Sequence, residues 1–191
     1  FPMIAVRELL ANTLIHQDFS VTGAGPLVEV FANRIEFTNP GSFLVDLRRV
    51  IDDPPQSRNE ALASLMRRMK ICEELGSGWD KIVMACEATG VQAPRIDVYD
   101  NAVRILLYRR QAFKAMTPDD RIWTAYMHAC IYHVNGDAMT NATLKRRFSL
   151  SQAASATVSR LLKACIEKGL IRVANPEVGL RLRRYVPFWV A

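Results

Sequence analysis

The amino-acid sequence predicts an α+β protein built from two dissimilar parts. Three observations support this prediction. Apolar residues recur at helical spacing in several segments, two pairs of short segments alternate apolar and polar residues as strands do, and the excess positive charge is confined to the C-terminal part. We place the boundary between residues 115 and 116, because "KAMTPDD" supplies a turn and a helix start directly after an alternating segment.

The first predicted helix, over about residues 3–17, carries two stripes of side chains. An apolar stripe is spaced for burial and consists of Leu9, Leu10, Thr13 and Leu14. A carboxylate, an amide and an imidazole recur every four residues on a neighbouring stripe, at Glu8, Asn12 and His16. Side chains four residues apart stack on one side of a helix, so this stripe is either a site or the solvent-facing side of the helix.

Both strand and helix patterns occur in the rest of the first part. The segments "PLVEVFA" and "NRIEFTN" predict a β-hairpin that turns at Ala32–Asn33. Helical segments follow at about residues 44–51, 59–72 and 77–89, and the run "AVRILLYR" predicts a last strand. This order predicts a small, largely antiparallel sheet with helices on one face.

The second part has a different order of elements. The segments "PDDRIWTAYMHACIYHV", "TNATLKRRF" and "SLSQAASATVSRLLKACIEKGLI" predict three helices. The segment "LIRVANPEVGLRLRRYVPF" then alternates on both sides of Asn175–Pro176 and predicts a second hairpin. Three helices followed by a hairpin are the outline of a winged helix, a variant of the helix-turn-helix.

The charge distribution indicates a polyanionic partner for this second part. Residues 1–115 hold 14 basic and 14 acidic residues, whereas residues 116–191 hold 11 and 5, so the net charge of +6 belongs entirely to the second part. We therefore predict DNA as the partner. A solvated basic face, or a winged helix that contacts protein, remains the alternative interpretation.

Helical spacing divides the third helix of this part into two faces. Its core-facing positions are Val158, Leu161, Leu162, Cys165 and Ile166. We predict base contacts from Gln152, Ser155 and Ser159 near its start, because outward polar side chains there suit base edges. The remaining predicted DNA-binding residues are cations suited to phosphates, namely Lys145, Arg146, Arg147, Arg160, Lys163, Arg181, Arg183 and Arg184.

Composition excludes other classes of protein. No apolar run is long enough to span a bilayer, and the N-terminus lacks the pattern of a signal peptide, so we expect a cytoplasmic protein with no membrane partner. The four cysteines lie far apart and without histidines at ligand spacing, which argues against a zinc site. Because the chain begins at Phe1, we expect it to be part of a longer protein.

Four motifs of the first part, taken in order, resemble a known family. They are "RELLANTLIHQDF", "RIEFTNPG", "SRNEALASLMRRM" and "CEELGSGWDKI". Together they are similar to the C-terminal domain of RecG-helicase-related transcriptional regulators, over about residues 1–110. The fold of that domain resembles the GHKL ATPases, which include gyrase, a heat-shock chaperone, histidine kinases and a mismatch-repair protein. Members commonly carry an upstream Schlafen/AlbA-like domain and a trailing winged helix.

The resemblance implies a nucleotide site. Glu8 would be the general base and Asn12 the ligand of Mg²⁺, as in GHKL enzymes. The glycine turns would be "NPG" and "GSG", so the implied cofactor-binding residues are Glu8, Asn12, Asn39, Gly41, Gly76, Ser77 and Gly78.

The sequence departs from the GHKL enzymes at the adenine pocket. The enzymes use an Asp-x-Gly-x-Gly turn there, whereas this chain has Thr38-Asn39-Pro40-Gly41 and no glycine-rich lid before "GSG". We therefore expect a degenerate site, with no catalytic residue, metal or cofactor, and keep ATP with Mg²⁺ as the alternative. The predicted function is that of a bacterial transcriptional regulator that binds DNA through its winged helix and uses the first domain for ligand sensing or subunit contact.

Two rival functions remain open at this point. One is a DNA-dependent nucleotide hydrolase of GHKL type, with Glu8 as the base. The other is a protein-interaction scaffold. A homodimer, and a nucleotide or other small anionic ligand, are further partners that the sequence leaves open.

Overall fold

The protein forms two compact units, Phe1–Arg110 and Gln111–Ala191. The computed structural model describes residues 1–54, 56–71, 78–179 and 182–190. Both units contain helices and strands, which confirms the predicted α+β class. None of the helices within the described residues is long and apolar enough to cross a membrane.

Within the described residues, three α-helices and four strands build the first unit. They are α1 (Met3–Ile15), β1 (Leu27–Val30), β2 (Arg34–Pro40), α2 (Glu60–Arg68), α3 (Gly78–Ala88), β3 (Arg95–Tyr99) and β4 (Ala102–Tyr108). The strands form an antiparallel sheet in the order β1-β2-β4-β3. The predicted hairpin is confirmed as β1 and β2, and β4 confirms the predicted last strand. Strand β3 was not predicted.

The covered face of the sheet carries the core of this unit. The register places Phe37 opposite Ile105 and Ile35 opposite Leu107, so these four side chains share one face. All four are buried, with Phe37 and Leu107 fully so. Helix α1 packs on β2 and against α2 and α3.

Helix α1 is rotated relative to the sequence prediction. Leu9 and Thr13 are buried as expected, but Leu10 is 42% exposed and Leu14 is 43% exposed. Glu8 is buried instead, at 2% exposure. The helix is apolar on most of its circumference, so hydrophobic periodicity does not determine which side faces the sheet.

The predicted helix at residues 44–51 is wrong. The segment forms only a 3-10 turn, Leu47–Arg49, because the carboxylate of Asp46 accepts the Arg48 N–H at 2.8 Å and caps a short turn. The helices predicted at 59–72 and 77–89 correspond to α2 and α3, and the residues between those two helices, 72–77, lie outside the described part.

In the described part of the second unit, the main elements are three α-helices and a pair of antiparallel strands. They are α4 (Pro118–Val134), α5 (Asn141–Arg147), α6 (Ser155–Glu167), β5 (Ile171–Val173) and β6 (Tyr185–Pro187). Thr117 begins α4 by accepting the Asp120 N–H at 3.1 Å, and a 3-10 turn at Gln152–Ala154 leads into α6. Strands β5 and β6 pair antiparallel, and Met139 forms an isolated bridge with Tyr185.

The core of the second unit lies where α4, α5 and α6 pack together. Tyr126, Leu144, Val158 and Cys165 are each fully buried there. Burial raises the pKa of the Cys165 thiol to about 12, so this cysteine behaves as an apolar core residue. Cys86 and Cys130 are buried as well, and Cys72 lies outside the described residues.

Candidate functional site

A cavity of about 150 Å³ lies in the first unit, between α1 and the covered face of the sheet. Its floor is apolar and comes from Ile15 on α1 and from Val103 and Ile105 on β4. Polar side chains converge on the same space, and those relevant to the implied site and its charge are Glu8, Asn12, His16, Asn39, Asp53 and Arg67. An apolar pocket with a few convergent polar groups is the usual form of a small-molecule site.

Glu8 and Asn12 line this cavity from successive turns of α1. The Glu8 carboxylate is 2% exposed and has Arg7 Nη2 at 3.4 Å from its Oε1 atom. A Cβ atom added to Gly78, at the start of α3, would lie 3.8 Å from the Asn12 amide nitrogen. The structure therefore brings together Glu8, Asn12 and Gly78, three residues that the family resemblance implies.

The two implied residues at the end of β2, Asn39 within the strand and Gly41 just after it, differ in their surroundings. Asn39 is 5% exposed, lines the cavity and donates from Nδ2 to the His16 carbonyl at 3.4 Å. Gly41 is not among the described residues that line it. It has a φ of +107°, and a Cβ there would lie 2.9 Å from the Asp18 Cβ and 3.2 Å from the Arg58 guanidinium carbon. Gly41 thus packs tightly against Asp18 and Arg58, and Gly76 and Ser77 lie outside the described residues.

The C-terminal end of α1 is held by two residues that sequence reasoning did not select as functional. Asn59 donates from Nδ2 to the carbonyls of Ile15 at 2.9 Å and Gln17 at 2.7 Å. Arg58 donates from Nε to the His16 carbonyl at 3.2 Å and pairs with Asp18 at 3.3 Å. The "SRNE" motif therefore satisfies carbonyls that the end of a helix leaves unpaired.

His16 lies at the rim of the cavity beside this cluster. Burial lowers the pKa of its imidazole, and the nearby Arg58 cation lowers it further. His16 is therefore neutral at pH 7 and can offer one donor and one acceptor to a ligand.

Two further charged residues, Asp53 and Arg67, line the cavity and were missed from the sequence. Arg67 belongs to α2, and the "RR" pair in "LMRRM" was the only signal for it. Asp53 follows the 3-10 turn, where its side chain lies 3.3 Å from Arg49 Nε. Positive and negative side chains thus both line the cavity. Its charge alone therefore does not identify it as an anion-binding site.

The described residues do not by themselves complete a site for a whole nucleotide with its metal. They enclose about 150 Å³, and Gly76 and Ser77 of the implied phosphate turn lie outside the described part. The end of β2 offers the amide of Asn39 where the GHKL enzymes have a carboxylate, and Gly41 is packed against Asp18 and Arg58. The residues present suit a smaller polar ligand.

The predicted DNA-binding residues of the second unit differ in exposure. Those with exposed side chains are Arg146, Gln152, Ser155, Ser159, Arg160, Lys163 and Arg184. Arg183 is half-buried, and Arg181 lies outside the described residues. Lys163 is 3.6 Å from Glu167 on the next turn of α6, and Arg184 is 3.5 Å from Asp137.

Two of the predicted phosphate contacts, Lys145 and Arg147, are buried rather than exposed as expected. Lys145 is 9% exposed and Arg147 is 8% exposed. Lys145 Nζ donates to Gln152 Oε1 at 2.7 Å and to Ser155 Oγ at 3.2 Å. Because its ammonium is used within the unit, Lys145 organises the start of α6 and does not contact solvent as a free cation.

Comparison with protein families gives one match to the first unit. Residues 23–107 match the family model described as "Putative ATP-dependent DNA helicase recG C-terminal". The matched segment includes β1, β2, β3 and all of β4 except Tyr108, and it ends before the second unit. It begins after α1, so Glu8 and Asn12 lie outside it. A comparison with curated proteins gives no match.

Comparison with solved structures gives a similar fold. The crystal structure of the DIP2311 protein from Corynebacterium diphtheriae matches 96% of this chain with a TM-score of 0.54 at 19% sequence identity. The match covers 40% of that protein's chain. At this identity the likeness concerns the fold alone. The family match to residues 23–107 supports a RecG-related, GHKL-like domain in the first unit.

Proposed function

We propose that this chain binds DNA through its second unit, which acts as a winged helix, and that the protein serves as a transcriptional regulator. The observation that carries this proposal is the exposed polar face of α6. Ser155 and Ser159 are exposed near its start, and Arg160 and Lys163 continue the same face. Gln152 is exposed in the 3-10 turn that leads into the helix. The opposite face, with Val158 and Leu162, is buried in the core.

Cations on the elements next to α6 support the same proposal. Arg146 is exposed on α5, which packs against α6, and Arg184 is exposed just before β6. Cations around a reading helix neutralise phosphates and release counterions, a contribution that does not depend on sequence. The net charge of +6 of the whole chain, located in residues 116–191, acts in the same direction.

For the first unit we propose ligand sensing or subunit contact by a degenerate nucleotide site. Its cavity is small, and its polar groups converge within apolar walls. The buried Glu8 carboxylate beside the Asn12 amide favours a small ligand that carries hydrogen-bond donors. Nucleotide hydrolysis is the second candidate, because Glu8 and Asn12 do lie side by side on α1.

Binding of the whole chain to mixed genomic DNA across a series of salt concentrations tests the proposal. We expect binding at low salt and a linear fall of log K with log salt concentration. Absence of binding at low salt would overturn the DNA-binding proposal and favour a scaffold. The same titration with ATP and Mg²⁺ tests the first unit, because a degenerate site predicts an unchanged affinity.

A further inference from the structure

A buried lysine fixes the side chain of Gln152 at the start of α6. Lys145 Nζ lies 2.7 Å from Gln152 Oε1 and is 9% exposed as a residue. An ammonium group has three donors and no acceptor, so only the oxygen of the Gln152 amide can face it. The NH₂ group of Gln152 must then point away, and it has no acceptor among the residues that the structure describes.

The hydroxyl groups of Ser155 and Ser159, on the same face, also form hydrogen bonds within the unit. Ser155 donates from Oγ to the Gln152 carbonyl at 3.1 Å and accepts from Lys145, so its only hydroxyl hydrogen is used. Ser159 Oγ accepts from Asn141 Nδ2 at 3.3 Å, which leaves its hydroxyl hydrogen available. Among the three side chains predicted to contact bases, the donors that remain are therefore the Gln152 NH₂ group and the Ser159 hydroxyl.

We propose that Gln152 is held as a donor-only reader of the major groove that selects guanine, and that Lys145 is the positioning residue that sets this preference. The proposal rests on the proposed DNA-binding function. Guanine presents two acceptors in the major groove, N7 and O6, and both suit an NH₂ donor. A glutamine that reads adenine needs its oxygen as well, to accept from the adenine N6 group, and here Lys145 occupies that oxygen.

The other two bases suit this arrangement less well than guanine. Cytosine presents its N4 donor, which has no partner in an NH₂ group. Thymine presents the O4 acceptor alone, together with a methyl group. Guanine is thus the base whose whole edge is complementary to the fixed amide of Gln152.

Three substitutions give different expected base preferences. Gln152→Ala removes the donor and should abolish the preference at one position of the site. Gln152→Glu keeps the contact with Lys145 but offers only acceptors, so the preference should move to cytosine. Lys145→Met keeps the length of the buried side chain and frees the Gln152 oxygen, so adenine should be accepted at the same position.

The experiment is selection of bound duplexes from a randomised pool by the whole chain, followed by sequencing. A good base contact discriminates by roughly 5- to 150-fold, so guanine should exceed adenine at one position by a factor in this range. Arg146→Met is the matched control, because it removes an exposed cation from the same helix and should weaken binding to every duplex without changing the preference. Thermal unfolding of each variant confirms that it is folded.

The outcomes separate this proposal from the one on which it depends. If the wild-type chain binds no duplex at low salt, both proposals fail. If it binds but Gln152→Ala and Lys145→Met leave every base preference unchanged, only the present proposal fails. It fails also if the position that Gln152→Ala alters prefers adenine or thymine in the wild type, whereas a guanine preference that moves to cytosine in Gln152→Glu supports it.

Discussion

The backbone at Gly41 passes so close to Asp18 that a Cβ on residue 41 would lie 2.9 Å from the Asp18 Cβ. Residue 41 also has a φ of +107°, a conformation that side-chain-bearing residues rarely adopt. The turn after β2 is thus shaped by packing against the end of α1. Arg58 packs at the same place, since its guanidinium group donates hydrogen bonds to the Asp18 carboxylate and to the Ser42 carbonyl. The positive φ and the close packing therefore explain why residue 41 is a glycine, and no ligand is needed for that explanation.

Gly41→Ala should therefore destabilise the protein even when no ligand is present. The strained φ costs about 1–3 kcal/mol, and overpacking against Asp18 and Arg58 adds a similar amount. Gly23→Ala is the matched control, because Gly23 has a φ of +79° but no atom within 4 Å of the added Cβ. Urea unfolding of both variants gives the comparison. Equal losses of stability would show that residue 41 is not tightly packed.

Asn59→Asp should destabilise the first unit as well. The Asn59 amide donates to two carbonyls at the end of α1, and a carboxylate of the same shape has no donor and would repel them. Loss of these partly buried hydrogen bonds costs on the order of 1–3 kcal/mol. Asn33→Asp is the control, because Asn33 is exposed and its Oδ1 atom accepts from Arg34, which a carboxylate also does. A midpoint of urea unfolding that is unchanged in Asn59→Asp would contradict the capping role.

The sequence predicted most elements of the fold but not how helix α1 faces the sheet. Strands β1, β2 and β4 were predicted because apolar and polar residues alternate along each of these segments. Strand β3 was missed because "RIDVY" is short and follows directly after Ala93-Pro94. In α1, apolar residues occur on all sides, so the choice between burying Leu10 and burying Glu8 depends on tertiary packing.

The candidate sites were predictable only in part for the same reason. The four-residue spacing of Glu8 and Asn12 was visible, and both residues do line one cavity. The burial of Lys145 was not visible, because a basic run at the end of a helix has the same pattern whether its side chains reach solvent or a neighbouring glutamine. Only the contact of Lys145 with Gln152 in the folded structure shows that this lysine is buried and not exposed to solvent.

The stability of the protein should decrease as the pH falls below about 6.5, with His16 contributing to the loss. Burial and the Arg58 cation lower the folded-state pKa of His16, so the unfolded chain takes up a proton at a higher pH than the folded one. The contribution is complete above the unfolded pKa and is lost as the pH falls through the lower folded pKa. Urea unfolding of the wild type and of His16→Gln from pH 8 to pH 5 measures this difference. A difference in free energy between the two that stays constant across this range would contradict the assignment.

Phosphate release from ATP should remain at background in the wild type, and Glu8→Gln should leave it unchanged. The segment Thr38-Asn39-Pro40-Gly41 lacks the carboxylate and the second glycine of the GHKL adenine pocket. Glutamine has the shape of glutamate, so the buried position at residue 8 is preserved. A wild-type rate clearly above a control without protein, lost in Glu8→Gln, would instead establish the hydrolase function.

Limited proteolysis with trypsin should release a stable fragment that corresponds to the first unit. The two compact units divide between Arg110 and Gln111, and Arg109, Arg110 and Lys114 are exposed near this point. Cleavage there leaves the sheet and its helices intact, and mass spectrometry identifies the fragment. Digestion that passes through the first unit without any stable product would contradict its independence.

Arg184→Ala should weaken DNA binding on every sequence and reduce the slope of log K against log salt concentration by about one. Arg184 is an exposed cation next to the hairpin, and its pairing with Asp137 at 3.5 Å is loose enough to be exchanged for a phosphate. Lys168→Ala is the matched control. Lys168 is also exposed and paired, with Asp119 at 2.6 Å, but it follows the C-terminal end of α6, away from the polar start of the helix.

Removing Arg183 together with Arg184 should lower the slope by about two, since phosphate contacts contribute nearly equally. Titrations of the whole chain on one specific and one random duplex, each at several salt concentrations, measure both slopes. If Arg184→Ala and Lys168→Ala change affinity and slope to the same extent, the effect is one of net charge and the hairpin does not contact DNA.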